Sequence, residues 1–160
     1  MKKKEIISYF IEYNSTSELP KDDAMLVEKA KEAAKKAYAP YSKFSVGAAL
    51  LLDNGEIIEG NNQENAAYPS GLCAERVAIF YANSVYPNNA IKAIAITALT
   101  EKGYVANPIP PCGACLQVMR ESENRAHKSI RVILFGEKNI AIAKNIQQFL
   151  PMTFNKEMLK

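Results

Sequence analysis

A short link near the end of the chain constrains the fold more than any other feature. Only the four residues GEKN, at 136–139, separate the apolar run RVILF (131–135) from the apolar run IAIA (140–143). Two parallel strands need a crossover of about a dozen residues or more, whereas an antiparallel pair needs only a tight turn. The two runs are therefore predicted to form an antiparallel hairpin.

The preceding sequence alternates between strand-like and helix-like segments. FSVGAALLL and EIIEGN flank Asp53-Asn54-Gly55, which is a strong hairpin signal. IKAIAITAL has the length and isoleucine content of a buried strand. Helices are predicted from a cap at Asp22 or Asp23 to Pro40, from about Leu72 to Ala82, and from Cys112 to about Ser122. The pattern predicts a three-layer α/β/α fold with a mixed five-stranded sheet.

Length and composition favour one domain spanning residues 1–160, in which 1–21 form an N-terminal extension. Its segment EIISYFIEY is apolar enough for a strand, and we expect the extension to contact another subunit. The net charge of +3 is too small to indicate a nucleic-acid partner. No apolar run approaches the roughly 20 residues of a membrane span. Since the N-terminus lacks a signal-peptide pattern and the three cysteines suit no disulfide framework, we expect a cytoplasmic protein without membrane partners.

All three cysteines fall at predicted helix starts. Cys112 and Cys115 are spaced i, i+3 and therefore share one helix face, while Cys73 opens an earlier helix. Thiolates are ligands that zinc prefers, and the partial positive charge of a helix N-terminus lowers the pKa of a nearby thiol. The three thiols are therefore predicted to form a soft metal site that suits zinc, although thiolates suit iron as well.

The chain offers no obvious fourth ligand. It has no fourth cysteine, and its single histidine, His127, lies twelve residues beyond Cys115 at the far end of the helix or past it. A zinc site with an open position binds a water molecule, whose pKa the metal lowers to about 7. Glu75 could then move protons between that water and a substrate, and Arg76 could withdraw negative charge by donating to thiolate sulfurs.

Each feature alone has a simpler interpretation. A single cysteine such as Cys73 is more often a small buried apolar residue than a ligand. A C-x-x-C pair can be a redox pair, although such a pair usually follows a strand and here follows a proline-rich loop. Glu75 and Arg76 could form a solvated first helical turn. The prediction of a catalytic metal site depends on the combination of C-A-E with P-C-x-x-C.

In these motifs the chain resembles the zinc-dependent deaminases, whose signature is a His or Cys ligand, a general acid/base Glu and P-C-x-x-C. The cysteine in CAE is similar to that of short homotetrameric cytidine deaminases, and the resemblance spans roughly residues 37–154. It implies one zinc per subunit on Cys73, Cys112 and Cys115, with Glu75 as the proton shuttle. The implied activity is hydrolytic deamination of cytidine and 2′-deoxycytidine to uridine and 2′-deoxyuridine, with release of ammonia, in pyrimidine salvage.

The same resemblance implies the contacts of a free pyrimidine nucleoside. Phe44 would pack on the base, the Ala74 N–H would bind the base O2, and Asn62 and Glu64 would hold the ribose hydroxyls. Phe44 could instead be an ordinary core residue of a strand. In a homotetramer, Tyr68 and Phe154, the latter in FLPMTF, would reach neighbouring active sites, although Phe154 could simply dock on its own core.

The chain departs from the family pattern at Leu116. This residue stands directly after the last cysteine, where the family usually has arginine, so Arg76 would tune the sulfurs alone.

Three alternative functions remain open. The chain could deaminate another aminopyrimidine nucleoside such as blasticidin S. A nucleic-acid editor is disfavoured because the sequence has no basic stripe with interleaved aromatic residues. It could also be a non-catalytic binding module stabilised by zinc.

Overall fold

In a computed structural model that describes residues 1–159, a central sheet carries one helix on one face and two on the other. No helix in those residues is long and apolar enough to cross a membrane. The elements, in chain order, are β1 (Ile11–Tyr13), α1 (Lys21–Ala34), β2 (Ser45–Leu52), β3 (Ile57–Asn61), α2 (Ala74–Val85), β4 (Ile91–Thr100), β5 (Gly103–Tyr104), α3 (Gly113–Ala126), β6 (Arg131–Phe135) and β7 (Ile140–Ala143).

The sheet confirms both predicted hairpins and its mixed character. Its strand order is β1-β7-β6-β4-β2-β3, with β5 paired to β4. Strands β6 and β7 pair antiparallel, with Phe135 opposite Ile140 beside the short link. Strands β2 and β3 pair antiparallel around the turn at Gly55, whose φ of +90° suits glycine. Strands β4 and β6 pair in parallel because α3 provides the crossover between them.

The prediction of five strands is wrong, since the sheet has seven. Strand β1, from the N-terminal extension, pairs with β7 and covers an edge that would otherwise leave its backbone groups unpaired. The Phe10 ring packs edge-on against the Phe149 ring, with 5.1 Å between the ring centroids. The Tyr9 N–H donates to Gln148 Oε1 at 2.9 Å. The extension therefore packs on its own chain. Strand β5 folds back onto β4 at Gly103, whose φ is +108°.

Alternating strand residues form two core layers. On one face of the sheet, Ala49 and Leu51 belong to a cluster with Leu26, Val27 and Ala30 of α1. The opposite face packs against α2 and α3, through a second cluster that includes Leu50, Ile94, Ile96, Ala78, Ile79 and Met119. This arrangement places α2 and α3, and with them all three cysteines, on the same side of the sheet.

Two glycines allow helices to lie directly on the sheet. A Cβ atom at Gly47 would lie 2.0 Å from the Ala30 carbonyl oxygen of α1. A Cβ atom at Gly60 would lie 2.5 Å from the Ala74 carbonyl oxygen, in the first turn of α2. Because backbone atoms cannot yield as a flexible side chain can, Gly60 sets how closely the start of α2 approaches β3.

Both predicted boundaries of the first helix are wrong. It begins at Lys21 after Pro20, so neither aspartate caps it, and the buried Asp23 carboxylate instead accepts a hydrogen bond from the guanidinium of Arg131 on β6. The helix ends at Ala34, well before Pro40. The chain leaves the helix early because Tyr38 pairs its backbone with the segment after β3, donating to the Asn62 carbonyl at 3.0 Å.

Candidate active site

Two helix starts bring the three cysteine thiols together. Helix α2 begins immediately after Cys73, and α3 begins immediately after Cys112. The Sγ atoms of Cys73 and Cys112 are 3.8 Å apart, those of Cys112 and Cys115 are 3.4 Å apart, and all three lie within 4.8 Å of one another. The Cys115 N–H donates to Cys112 Sγ at 3.5 Å, which fixes the turn that carries both thiols.

This cluster fits a zinc ion in both donor type and spacing. Thiolates at about 2.3 Å from a tetrahedral zinc lie about 3.8 Å from one another, close to the observed separations. Cys115 is buried, Cys73 is half-buried and Cys112 is exposed, so one side of the cluster faces outward. His127 caps the C-terminus of α3, about 20 Å along the helix from its start, and cannot reach the thiols.

Neighbouring groups favour ionisation of Cys73. A hydrogen bond from the Cys115 thiol, together with one from Arg76, lowers the pKa of Cys73 to about 5. The hydrogen bond to Cys73 and burial raise the pKa of Cys115, so the thiolate resides on Cys73. Arg76 Nη2 lies 3.6 Å from Cys73 Sγ. The arginine therefore balances negative charge on the sulfurs, as a thiolate metal centre requires.

Glu75 lies beside the thiols in the first turn of α2. Its side chain is only 4% exposed, yet it lines the cavity that opens onto the cysteines. Burial raises the pKa of the Glu75 carboxyl, and the negative charge of Cys73 adds to this effect. A carboxyl whose pKa is raised toward neutrality can both accept and release a proton, which general acid/base catalysis needs.

A cavity of about 650 Å³ gathers most of the predicted site residues. This volume is within the range of small-molecule sites. Ile109 and Pro110, from the loop before α3, contribute apolar lining. The predicted residues that line the cavity are Phe44, Asn62, Glu64, Tyr68, Cys73, Glu75, Arg76 and Cys112.

The polar wall of the cavity is already hydrogen-bonded to the chain. Asn62 Oδ1 accepts from the Val46 N–H at 2.7 Å, and Asn62 Nδ2 donates to the Phe44 carbonyl at 3.0 Å. Glu64 Oε2 accepts from the N–H groups of Tyr41 and Ser42 at 2.9 and 3.3 Å, while Glu64 Oε1 accepts from the Ser42 hydroxyl. The Ser42 hydrogen bond lowers the pKa of Glu64 and keeps it ionised.

Tyr41 and Ser42 also line the cavity, although the sequence analysis did not identify them. The Tyr41 ring packs edge-on against Tyr68 at 6.4 Å, at the mouth of the cavity. Tyr68 is 79% exposed, so most of its ring is free to meet another surface. The sequence could have indicated both residues, because they lie two and three positions before the predicted site residue Phe44 in YSKF.

Three other residues lie away from the cavity lining. Ala74 is fully buried at the first position of α2, where the backbone N–H has no partner within the helix. Phe154 is 56% exposed and lies in a separate cleft beside α3, where its carbonyl accepts from Gln117 Nε2 at 3.0 Å. Leu116 is buried in the core between α3 and the sheet.

Comparison with known proteins places this geometry in a family. The model of the cytidine and deoxycytidylate deaminase zinc-binding region matches residues 20–130. A cytidine deaminase of Sporosarcina psychrophila is 43% identical over 138 residues, covering 86% of this chain and 95% of that protein. A cytidine deaminase of Halalkalibacterium halodurans is 49% identical over 100 residues, covering 62% of this chain and 71% of that protein. The crystal structure of cytidine deaminase from Burkholderia pseudomallei superposes with a TM-score of 0.70 at 39% identity, covering 81% of this chain and 97% of that one.

Proposed function

The chain belongs to the cytidine and deoxycytidylate deaminase family and is a hydrolase of the cytidine deaminase type, and from this premise we propose that it deaminates both cytidine and 2′-deoxycytidine with one zinc ion per subunit. The observation that carries the proposal is the thiol cluster of Cys73, Cys112 and Cys115 beside the buried Glu75, at a cavity large enough for a nucleoside. When bound, a zinc ion would supply Lewis acidity toward water.

Glu75 performs the proton transfers. Hydrolysis adds the oxygen of water to C4 of the base, breaks the bond between C4 and the amino nitrogen, and leaves a carbonyl at C4 with ammonia as the other product. The Glu75 carboxylate accepts a proton from water, delivers it to N3, and then protonates the leaving amino group as the second proton becomes available. Its buried position beside the cysteines supports this role, because burial raises the pKa of the carboxyl and so allows it both to accept and to release a proton.

The other cavity residues orient the nucleoside. Phe44 packs on the pyrimidine ring, and the free N–H of Ala74 at the start of α2 binds the base O2. Asn62 and Glu64 bind the sugar hydroxyls, since both retain hydrogen-bonding capacity beyond the backbone contacts they make. Arg76 balances the charge of the thiolates through Cys73.

The working form is a homotetramer of single-domain subunits, each comprising residues 1–160 with the extension 1–21. The exposed rings of Tyr68 and Phe154 support this proposal, because both are accessible to another subunit. A free-nucleoside substrate, with no nucleic-acid partner, suits a role in pyrimidine salvage in the cytoplasm.

The decisive test follows the ultraviolet absorbance of cytidine and of 2′-deoxycytidine with purified protein of measured zinc content. We expect loss of the cytosine band with the intact protein, and a rate lower by a factor of about 10²–10⁴ with Glu75→Gln, which keeps the shape of the side chain but cannot carry the proton. The variant should retain its zinc. If the zinc-loaded tetramer leaves both nucleosides unchanged, the proposed substrate is wrong; if Glu75→Gln keeps full activity, the proposed shuttle is wrong.

A further inference from the structure

The loop before β2 is hydrogen-bonded to the carboxylate of the cavity wall. Ser42 Oγ bonds to Glu64 Oε1, while the N–H groups of Tyr41 and Ser42 donate to Glu64 Oε2 at 2.9 and 3.3 Å. In the same loop, the Phe44 N–H donates to Ser42 Oγ at 3.1 Å. Ser42 therefore contacts both a residue proposed to bind the sugar and the backbone of the residue proposed to pack on the base.

The partners of Ser42 determine the direction of its hydroxyl proton. A backbone N–H can only donate, so the Ser42 oxygen accepts from Phe44. An ionised carboxylate can only accept, so the Ser42 hydroxyl donates to Glu64. The hydrogen bond from Phe44 thus orients the hydroxyl, and the hydroxyl in turn orients the carboxylate.

These contacts leave Glu64 with little free capacity. A carboxylate has about four acceptor positions, and the loop occupies three of them through Tyr41 and Ser42. One position remains for a ligand in the cavity that Glu64 lines. Without the Ser42 hydrogen bond, Glu64 Oε1 would gain a second free position and the freedom to rotate.

We propose that Ser42 is a positioning residue that fixes Glu64 so that the carboxylate presents a single acceptor to one sugar hydroxyl of the nucleoside. This inference rests on the proposed function, because it assumes a nucleoside in the cavity. In this chain of hydrogen bonds, the Phe44 N–H orients the Ser42 hydroxyl, and the hydroxyl orients the Glu64 carboxylate toward the sugar.

A structural role for the same contacts makes a different prediction. If Glu64 only anchors the loop of Tyr41 and Ser42, loss of the Ser42 hydroxyl would disturb the whole cavity and slow every substrate alike. A positioning role concerns only the sugar hydroxyl. The two roles therefore separate when a nucleoside with 2′- and 3′-hydroxyls is compared with one that lacks these two groups.

The experiment measures kcat and KM for cytidine and for 2′,3′-dideoxycytidine with the zinc-loaded wild-type enzyme, Ser42→Ala and Ser42→Thr. Since a hydrogen bond to a charged group contributes about 1.5–3 kcal/mol, we expect Ser42→Ala to lower the preference for cytidine in kcat/KM by about tenfold or more. Most of the change should be in the KM of cytidine. Ser42→Thr keeps a hydroxyl and should restore the preference.

A second comparison uses the Glu64→Gln background, where Ser42→Ala should not lower the preference further, because the two residues act as one unit. Equal losses on both substrates, or an unchanged preference in Ser42→Ala, would overturn the inference while leaving the proposed function intact. If the wild-type enzyme turns over neither nucleoside, the proposed function fails and this inference fails with it.

Discussion

Arg76 is the residue on which charge balance at the cysteines depends. Its Nη2 atom lies 3.6 Å from Cys73 Sγ, and the contact raises the pKa of Arg76 as it lowers that of Cys73. Leu116, directly after Cys115, is only 6% exposed and packs in the hydrophobic core. The departure from the family pattern at position 116 is thus absorbed as apolar packing, and it gives the sulfurs no second cation.

We therefore expect Arg76→Gln to weaken zinc binding or lower activity by about 10- to 100-fold, the usual cost of losing a hydrogen-bond partner of a metal ligand. Competition with a coloured zinc chelator measures the affinity, and cytidine turnover measures the activity. Arg125→Gln is the matched control, because Arg125 is an exposed arginine near the opposite end of α3 from the cysteines. If both variants behave like the wild type, Arg76 does not stabilise the thiolates.

At the residue scale, the sequence predicted the cysteines and Glu75 but not the hydrogen bonds that hold the other cavity residues in place. The thiols and Glu75 could be identified because each motif is contiguous and begins a helix, and because the combination of C-A-E with P-C-x-x-C is a deaminase signature. The contacts of Ser42 with Glu64 could not, since they join residues 22 positions apart. They also require the early end of α1, where Glu64 donates its N–H to the Tyr38 carbonyl at 2.9 Å.

Among the elements, α2 is the one whose packing on the sheet bears on the metal ligands, because Gly60 of β3 lies directly beneath its first turn. A Cβ atom there would come within 2.5 Å of the Ala74 carbonyl oxygen and 2.7 Å of the Ala78 nitrogen. Relief of those contacts requires the helix to move off the sheet, and Cys73 moves with it. The packing of one glycine is thus coupled to the geometry of the metal ligands.

We expect Gly60→Ala to destabilise the fold by about 3 kcal/mol, at the upper end of typical overpacking costs, and to reduce zinc content. Gly113→Ala is the control, since Gly113 is the first residue of α3, lacks a positive φ, and a Cβ atom there would meet open space. Denaturant unfolding of both variants at equal protein concentration makes the comparison. Equal stability of Gly60→Ala and the wild type would show that α2 can shift without cost.

Elements were predictable where the link between them was short. GEKN and Asp53-Asn54-Gly55 allow only hairpins, and both hairpins are present. The early end of α1 and strand β1 depend on distant partners instead, whereas β5 pairs locally with β4 across a two-residue link that the sequence analysis missed. Strand β1 forms against β7 nearly 130 residues further along the chain, with Ile11 opposite Ile142, and nothing local in EIISYFIEY indicates that partner.

At the scale of the whole molecule, one chain does not bring all the predicted site residues to one cavity. Eight of the predicted site residues line the cavity, but Phe154 lies in another cleft beside α3, with its ring more than half exposed. A second chain that brings its Phe154 to this cavity would complete the aromatic packing on the base. We therefore expect Phe154→Ala to lower activity in every subunit while leaving zinc content unchanged.

Subunit mixing separates the two possible origins of that loss. Phe154→Ala and Glu75→Gln proteins, each weakly active, are unfolded together, refolded with zinc and assayed on cytidine. If Phe154 serves a neighbouring subunit, mixed assemblies contain some sites with an intact Glu75 from one chain and an intact Phe154 from another, and activity rises above the average of the two parents. Parents refolded separately and then combined are the control. If each ring serves its own chain, no mixed site has both groups, so activity stays at that average and Phe154 acts within its own subunit.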